Sequence, residues 1–270
     1  MGSGSGLGCV RRGHASGRAG GRWLCLSAII WLSATALLAT PIAASFVPPF
    51  PTNAARDNSK GDIPHRPWLT LIRQRAFVRV TVVAALVLGS HAMYDSFAVI
   101  RWTQAGISSA TVGVLWAESV AAEVVVFLFL GPRLLRAVTP TVALAVAASC
   151  GLVRWAVMAQ TVDVAALALV QPLHGFTFAL LHLASMRIIA DTVPRVLAAT
   201  AQAVYGLVGV GGATAVLTLL SGWLYAHFGP AGFWAMGALC TAAFPVILLL
   251  HRALAASRQC LAAHRDQPFA

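Results

Sequence analysis

Charged residues are scarce in this sequence. They make up 10% of its 270 residues, with Asp and Glu together contributing only 8, against roughly 25% charged in an ordinary soluble domain. That shortage excludes a water-soluble domain with a solvated polar surface. Cysteine is sparse and unpatterned: Cys9, Cys25, Cys150, Cys240 and Cys260 form no CxxC pair and no metal-ligand spacing with histidine. No zinc or redox site follows, and no metal or cofactor is expected. The chain has neither an HExxH run nor a GxSxG elbow, and His174 and His182 stand eight apart. A membrane-embedded enzyme is therefore the weaker alternative to a non-enzymatic function.

Apolar residues fill the space that charge leaves. They are 59% of the chain and fall in runs long enough to cross a bilayer, which takes about 20 residues as a helix. The pattern predicts an all-α, polytopic membrane protein. A first run spans Trp23 to Val47, and six more cover about 77–100, 106–130, 138–160, 164–186, 198–225 and 231–251. Gly131-Pro132, Pro140, Pro194 and Gly229-Pro230 punctuate the connections, because Pro and Gly end helices there. Before the first run, residues 1–22 are Gly-, Ser- and Arg-rich and read as disordered. The Pro-rich stretch 48–76 reads as a solvated hinge loop, and 252–270 as a tail.

The formal net charge of +11 reports topology, not nucleic acid, because the basic residues form no patch or aromatic-interleaved groove. Arg56, Lys60, Arg66, Arg73, Arg75 and Arg79 collect on one side with Arg133, Arg136, Arg187, Arg195, Arg252, Arg258 and Arg265; the other side holds Arg101 alone. Thirteen against one places the long loop and the C-terminus in the cytoplasm of an inner (cytoplasmic) membrane protein. Arg11, Arg12, Arg18 and Arg22 then fall on the wrong side if Trp23 to Val47 crosses. Either the native chain continues upstream or residues 1–47 do not cross. A signal peptide is a third possibility, although the apolar run is long for one. We read the chain as truncated.

Five runs carry a more specific pattern: SHAMYDSFAVIRW, VGVLWAESVAAEVVVF, CGLVRWAVM, QPLHGFTFALLHLASMRIIA and AQAVYG. From Arg75 to about Tyr225 the sequence resembles the C-terminal half of phenylpropionate-permease-type transporters of the major facilitator superfamily, with a degenerate cytoplasmic signature at Gly131 to Arg136. The resemblance implies twelve helices in two six-helix halves built of inverted repeats. This chain would supply the sixth to the twelfth. It implies a secondary active transporter of a small organic solute, an aromatic acid among the options, working by alternating access with protons. Its partners would be the solute, protons, the lipid bilayer, and either a separate N-terminal half or a second copy. An inert or regulatory fragment is the alternative.

A charged group at mid-membrane costs about 2.5–3.5 kcal/mol on insertion scales, so each needs a partner or a wet cavity. With a rise of about 1.5 Å per residue, depths fall into layers. Asp95 and Arg154 lie roughly 5–12 Å from the outer surface, where they pair or Arg154 snorkels outward. His91, Glu118 and His174 lie roughly 13–18 Å deep, near the midplane where such transporters bind solute and coupling ion. A carboxyl group in a low-dielectric cavity can exchange a proton that a nearby histidine shares. Glu118, with His174 and His91, is therefore assigned to proton coupling; the alternative for Glu118 is a helix–helix hydrogen bond. Helical spacing stacks His91, Tyr94 and Asp95 on one face, and Gln171, His174, Phe178 and His182 on another. Under the resemblance these faces line the central cavity, joined by Gln202 and Tyr205. Deeper lie Glu123, His182 and Arg187, with Arg187 and Asp191 at i, i+4 spacing for a boundary ion pair. Glu123 and His182 form either an inner gate or structural contacts. Four glycines, Gly206, Gly209, Gly211 and Gly212, let the next span pack closely or bend.

Overall fold

The computed structural model describes residues 31, 34–35, 37–40, 45–46 and 66–265. The stretches 1–22 and 48–65, most of 23–47, and the last five residues of the tail lie outside them. Two units result, Met1–Lys60 and Gly61–Ala270. The described residues of the first are mostly helical; all that follows concerns the second.

Among the described residues every element is a helix. A backbone buried in lipid must satisfy its own N–H and C=O groups, which a helix does within one segment. A short α1, Pro67–Arg73, lies inside the expected loop and ends where Gln74 turns extended (φ −79°, ψ 105°). Then come α2 (Arg75–Gln104), α3 (Ser109–Ala137), α4 (Pro140–Gln160) and α5 (Val164–Thr192), each long and apolar enough to cross. The last such stretch, Arg195–Ser257, is 63 residues long, enough for two crossings and a turn. It folds back at the 3₁₀ turn Gly229–Gly232, where Gly229 takes φ 53°, a conformation that favours glycine. We call its arms α6 (Ala198–Val204, Tyr205–Gly212 and Ala213–Phe228) and α7 (Phe233–Arg265).

Caps mark the starts. Ser108, Thr139 and Asp163 accept hydrogen bonds from the amides of Thr111, Val142 and Ala166, satisfying donors that a helix N-terminus leaves free. Pro140 occupies the first turn of α4, where its missing N–H costs nothing.

α2 is the central helix, with 67% of its apolar window buried, whereas α3 has 22%. α7 is not a purely lipid-facing helix. Phe233, Met236, Cys240, Ala243, Ile247 and Leu250 are buried at alternating three- and four-residue steps and pack on α2 and α4, as one stripe of a helix should. Arg79 of α2 also donates to the Leu249 carbonyl of α7 at 2.9 Å. A tight crossing joins α3 to α5 at Gly175, where a Cβ would sit 2.6 Å from Ala122 O. That approach sets Glu123 beside His174.

Candidate functional site: a buried arginine cluster and an aromatic cavity

Two helices are broken at the site, and the sequence explains both breaks. In α2, Ser90 Oγ donates to Val87 O at 2.6 Å, and His91 Nδ1 lies 3.1 Å from the same carbonyl and 3.2 Å from Leu88 O. Side chains thus compete with the backbone for helical acceptors, and the helix is interrupted at Ser90 and His91. In α5 the cause is Pro172, which lacks an N–H and cannot continue the ladder; the turn falls at Gln171 and Pro172. His91, Gln171 and His174 therefore project from helix breaks.

They converge on Arg154 of α4, which is fully buried. Its Nη1 donates to His91 Nε2 at 3.2 Å and to His174 Nδ1 at 3.3 Å, and its Nη2 to Gln171 Oε1 at 3.2 Å. The guanidinium carbon lies 4.9 Å from the ring centre of Tyr94 and 4.8 Å from that of Trp155, within cation–π range. Gln171 passes the network on, donating to Tyr94 Oη at 3.0 Å.

An arginine only donates, so both imidazole nitrogens facing it must accept. His91 then carries its hydrogen on Nδ1, toward the Val87 and Leu88 carbonyls. His174 carries its hydrogen on Nε2, which lies 3.5 Å from Glu123 Oε2. The result is a chain from Glu123 through His174 and Arg154 to His91, with both tautomers assigned from the hydrogen-bond network. No carboxylate among the described residues lies within ion-pair distance of Arg154.

Two cluster members, Thr177 and Ser90, were not singled out from sequence. Thr177 is buried, lies 3.0 Å from His91 Nε2 and donates to His174 O. Trp155 donates from Nε1 to Ser90 Oγ at 2.9 Å. Thr177 follows His174 by three residues and Ser90 precedes His91, so helical stacking was the available signal. Pro172, in the middle of a span, was another.

The remaining residues divide. Asp95 is exposed and its carboxylate makes no hydrogen bond or ion pair to a described residue; Arg154 reaches inward to the histidines instead. Glu118 is half-buried, without a hydrogen bond or ion pair to a described residue. Arg187 Nε donates to Asp191 Oδ2 at 3.1 Å, both exposed. Phe178, His182, Gln202 and Tyr205 meet in a cavity of about 450 Å³ whose wall also includes Phe127. Its rings are close: His182 lies 6.1 Å from Tyr205 and 6.4 Å from Phe127. Phe178 stacks on His174 at 5.7 Å, so one phenyl ring belongs to both the cavity wall and the arginine cluster. A larger cavity, about 850 Å³, lies between Gln74, Arg75, Thr192 and Ser257, away from this chemistry.

The family model described as the MFS_1 like family matches residues 11–236. A curated protein of Escherichia coli (strain K12), named "Probable 3-phenylpropionic acid transporter", is 40% identical over 173 residues, covering 63% of this chain and 44% of that protein. The chain thus spans less than half the length of that relative. No solved structure matches it. By its family match and its several apolar membrane-length helices, this multi-pass membrane protein belongs to the MFS_1 like family of the major facilitator superfamily.

Proposed function

We propose that this chain is one body of an alternating-access transporter that carries a small organic acid together with a proton. The observation that carries the reading is the state of Arg154: a buried guanidinium whose hydrogen bonds all go to uncharged acceptors. A buried charge without a counter-ion is expensive, on the order of several kcal/mol. A solute carboxylate supplies that counter-ion. The solute's apolar body rests in the Phe178–Tyr205 cavity and its carboxylate passes Phe178 to reach Arg154. The relative's name, a 3-phenylpropionic acid transporter, supports an aromatic acid, and the aromatic lining suits one.

Proton coupling follows from the tautomers. A proton added to His174 arrives at Nδ1 and sets two donors, Nδ1–H and Arg154 Nη1, against each other. The imidazolium then swings away from Arg154, toward the carboxylate of Glu123, and releases a guanidinium edge for the solute. His91 responds in the same way through Nε2. Glu118, five residues before Glu123, is the second carboxyl group on α3 and completes the proton path. The second body is either a separate N-terminal half or a second copy of this chain, since the inverted-repeat fold rocks two bundles about a midplane site. By the arginine asymmetry the C-terminus lies in the cytoplasm.

The test is uptake of radiolabelled 3-phenylpropionate into proteoliposomes under an inward proton gradient, with and without a co-expressed N-terminal half. Proton-driven uptake that is lost in Arg154→Gln is the expected result. Wild-type uptake by Arg154→Gln would sink the reading.

A further inference from the structure

π-Helical turns are rare, well under 1% of residues in globular proteins, and they concentrate at functional sites. Among the described residues there are three such segments: Val126–Leu130 in α3, Phe176–Leu180 in α5 and Tyr205–Gly212 in α6. All three face one place. Phe127 comes from the first, Phe178 from the second, and Tyr205, Gly206 and Val210 from the third, and together they form most of the wall of the 450 Å³ cavity. Three different helices widen where they meet the same space.

The glycines show what the widening requires. A Cβ on Gly212 would lie 3.0 Å from Leu207 O, and one on Gly211 3.4 Å from Gly206 O. Gly131, directly after the α3 segment, donates its N–H to Val126 O, and a Cβ there would lie 2.8 Å from that oxygen. Each of these carbonyls is five residues back, the partner that defines a π turn. Gly222, further along α6 in regular α-helix, would meet no side chain and no backbone beyond its own helical turn within 4 Å. A side chain at Gly212 therefore crowds the π register, whereas alanine has the highest intrinsic preference for the α register.

The membrane gives this a mechanical meaning. A helix in lipid can change shape only by routes that keep its backbone groups bonded. Exchange between i→i+5 and i→i+4 bonding is such a route. Each exchange removes or inserts one surplus residue in the turn and rotates the adjoining side chains by about 100°, one residue's share of a 3.6-residue turn. Applied to these segments, it carries Phe127, Phe178 and Tyr205 into or out of the cavity.

We infer that the three π segments are the moving walls of the solute cavity, and that exchange between π and α register opens and closes it during transport. The inference rests on the cavity being the solute site, and the test separates the two. Full-length wild type, Gly212→Ala and the control Gly222→Ala are reconstituted, and amide hydrogen exchange is followed over residues 205–212. Gly212→Ala is expected to slow that exchange at least tenfold, with Gly222→Ala unchanged. It is also expected to bind 3-phenylpropionate within threefold of wild type while its initial uptake falls at least tenfold. Unchanged exchange in Gly212→Ala, or full-rate uptake by it, overturns the inference, as does an equal loss in Gly222→Ala. If wild type neither binds nor carries the probe, the solute reading fails, and the exchange measurement decides the register inference by itself.

Discussion

Arg154 Nη1 donates to His174 Nδ1 across 3.3 Å, so a charged donor occupies the ring nitrogen at which a further proton would arrive. The opposite ring nitrogen faces Glu123 at 3.5 Å. Protonation and guanidinium contact thus compete for one imidazole edge, and the proposed proton coupling would use that competition as its two-state element.

Arg154→Lys keeps the charge but loses the planar fork that reaches two imidazoles and an amide at once. Lysine offers a single ammonium centre. We expect uptake to fall at least tenfold, with KM raised more than kcat is lowered, in proteoliposome kinetics. Wild-type kinetics would show that only the charge matters.

Glu123→Gln preserves shape and removes the acceptor charge that receives the His174 imidazolium. Proton-driven accumulation should disappear while solute exchange at equal concentrations on both sides persists. Glu118→Gln, measured alongside, is expected to flatten the pH dependence of uptake. An unchanged profile removes Glu118 from the proton path.

Gly175→Ala places a methyl group 2.6 Å from Ala122 O and 2.8 Å from Val126 Cγ2. Neither the backbone nor a packed valine yields without moving α3 from α5, and overpacking of this kind costs about 1–3 kcal/mol. Thermal unfolding in detergent should drop by several degrees, with uptake lost because Glu123 no longer reaches His174. An unshifted melting temperature would show that the crossing is loose.

Ser90→Ala strands the Trp155 indole N–H in a fully buried position. A buried donor left unpaired costs about 1–3 kcal/mol. The loss should shrink in a Trp155→Phe background, where no indole N–H remains, and a double-mutant cycle by thermal melting measures the difference. Additive losses would mean that the bond contributes nothing.

Phe178→Ala removes one ring from the cavity wall and from the His174 stack. An aromatic contact contributes about 0.5–1.5 kcal/mol beyond burial, which corresponds to a KM for 3-phenylpropionate raised by roughly 2- to 12-fold. An aliphatic acid of similar length should be affected less. Equal effects on both would argue against an aromatic solute.

The helical class and the positions of the α2 to α7 spans were legible because lipid imposes a local rule. Apolar length, Pro and Gly punctuation and caps each depend on neighbouring residues only. The helical-face argument also grouped Phe178 with His182, and these share the cavity with Gln202 and Tyr205. Depth was a poorer guide. Counting a rise of about 1.5 Å per residue set Arg154 in the layer of Asp95, yet its side chain reaches His91 and His174. Straight-helix counting ignores both the length of an arginine and the breaks at Ser90 and Pro172.

The sequence by itself determined that this is a polytopic helical membrane protein, how its arginines are distributed, and which rare polar residues fall within its apolar runs, because each of these follows from composition and local order. Only the tertiary structure decided that Arg154 is the hub, that Glu123 and not Glu118 meets His174, and that three π segments close on one cavity. Those relations join helices far apart in the chain. They depend on the Gly175 crossing, on two helix breaks, and on rotations of about 100° per residue that periodicity in a single segment does not report.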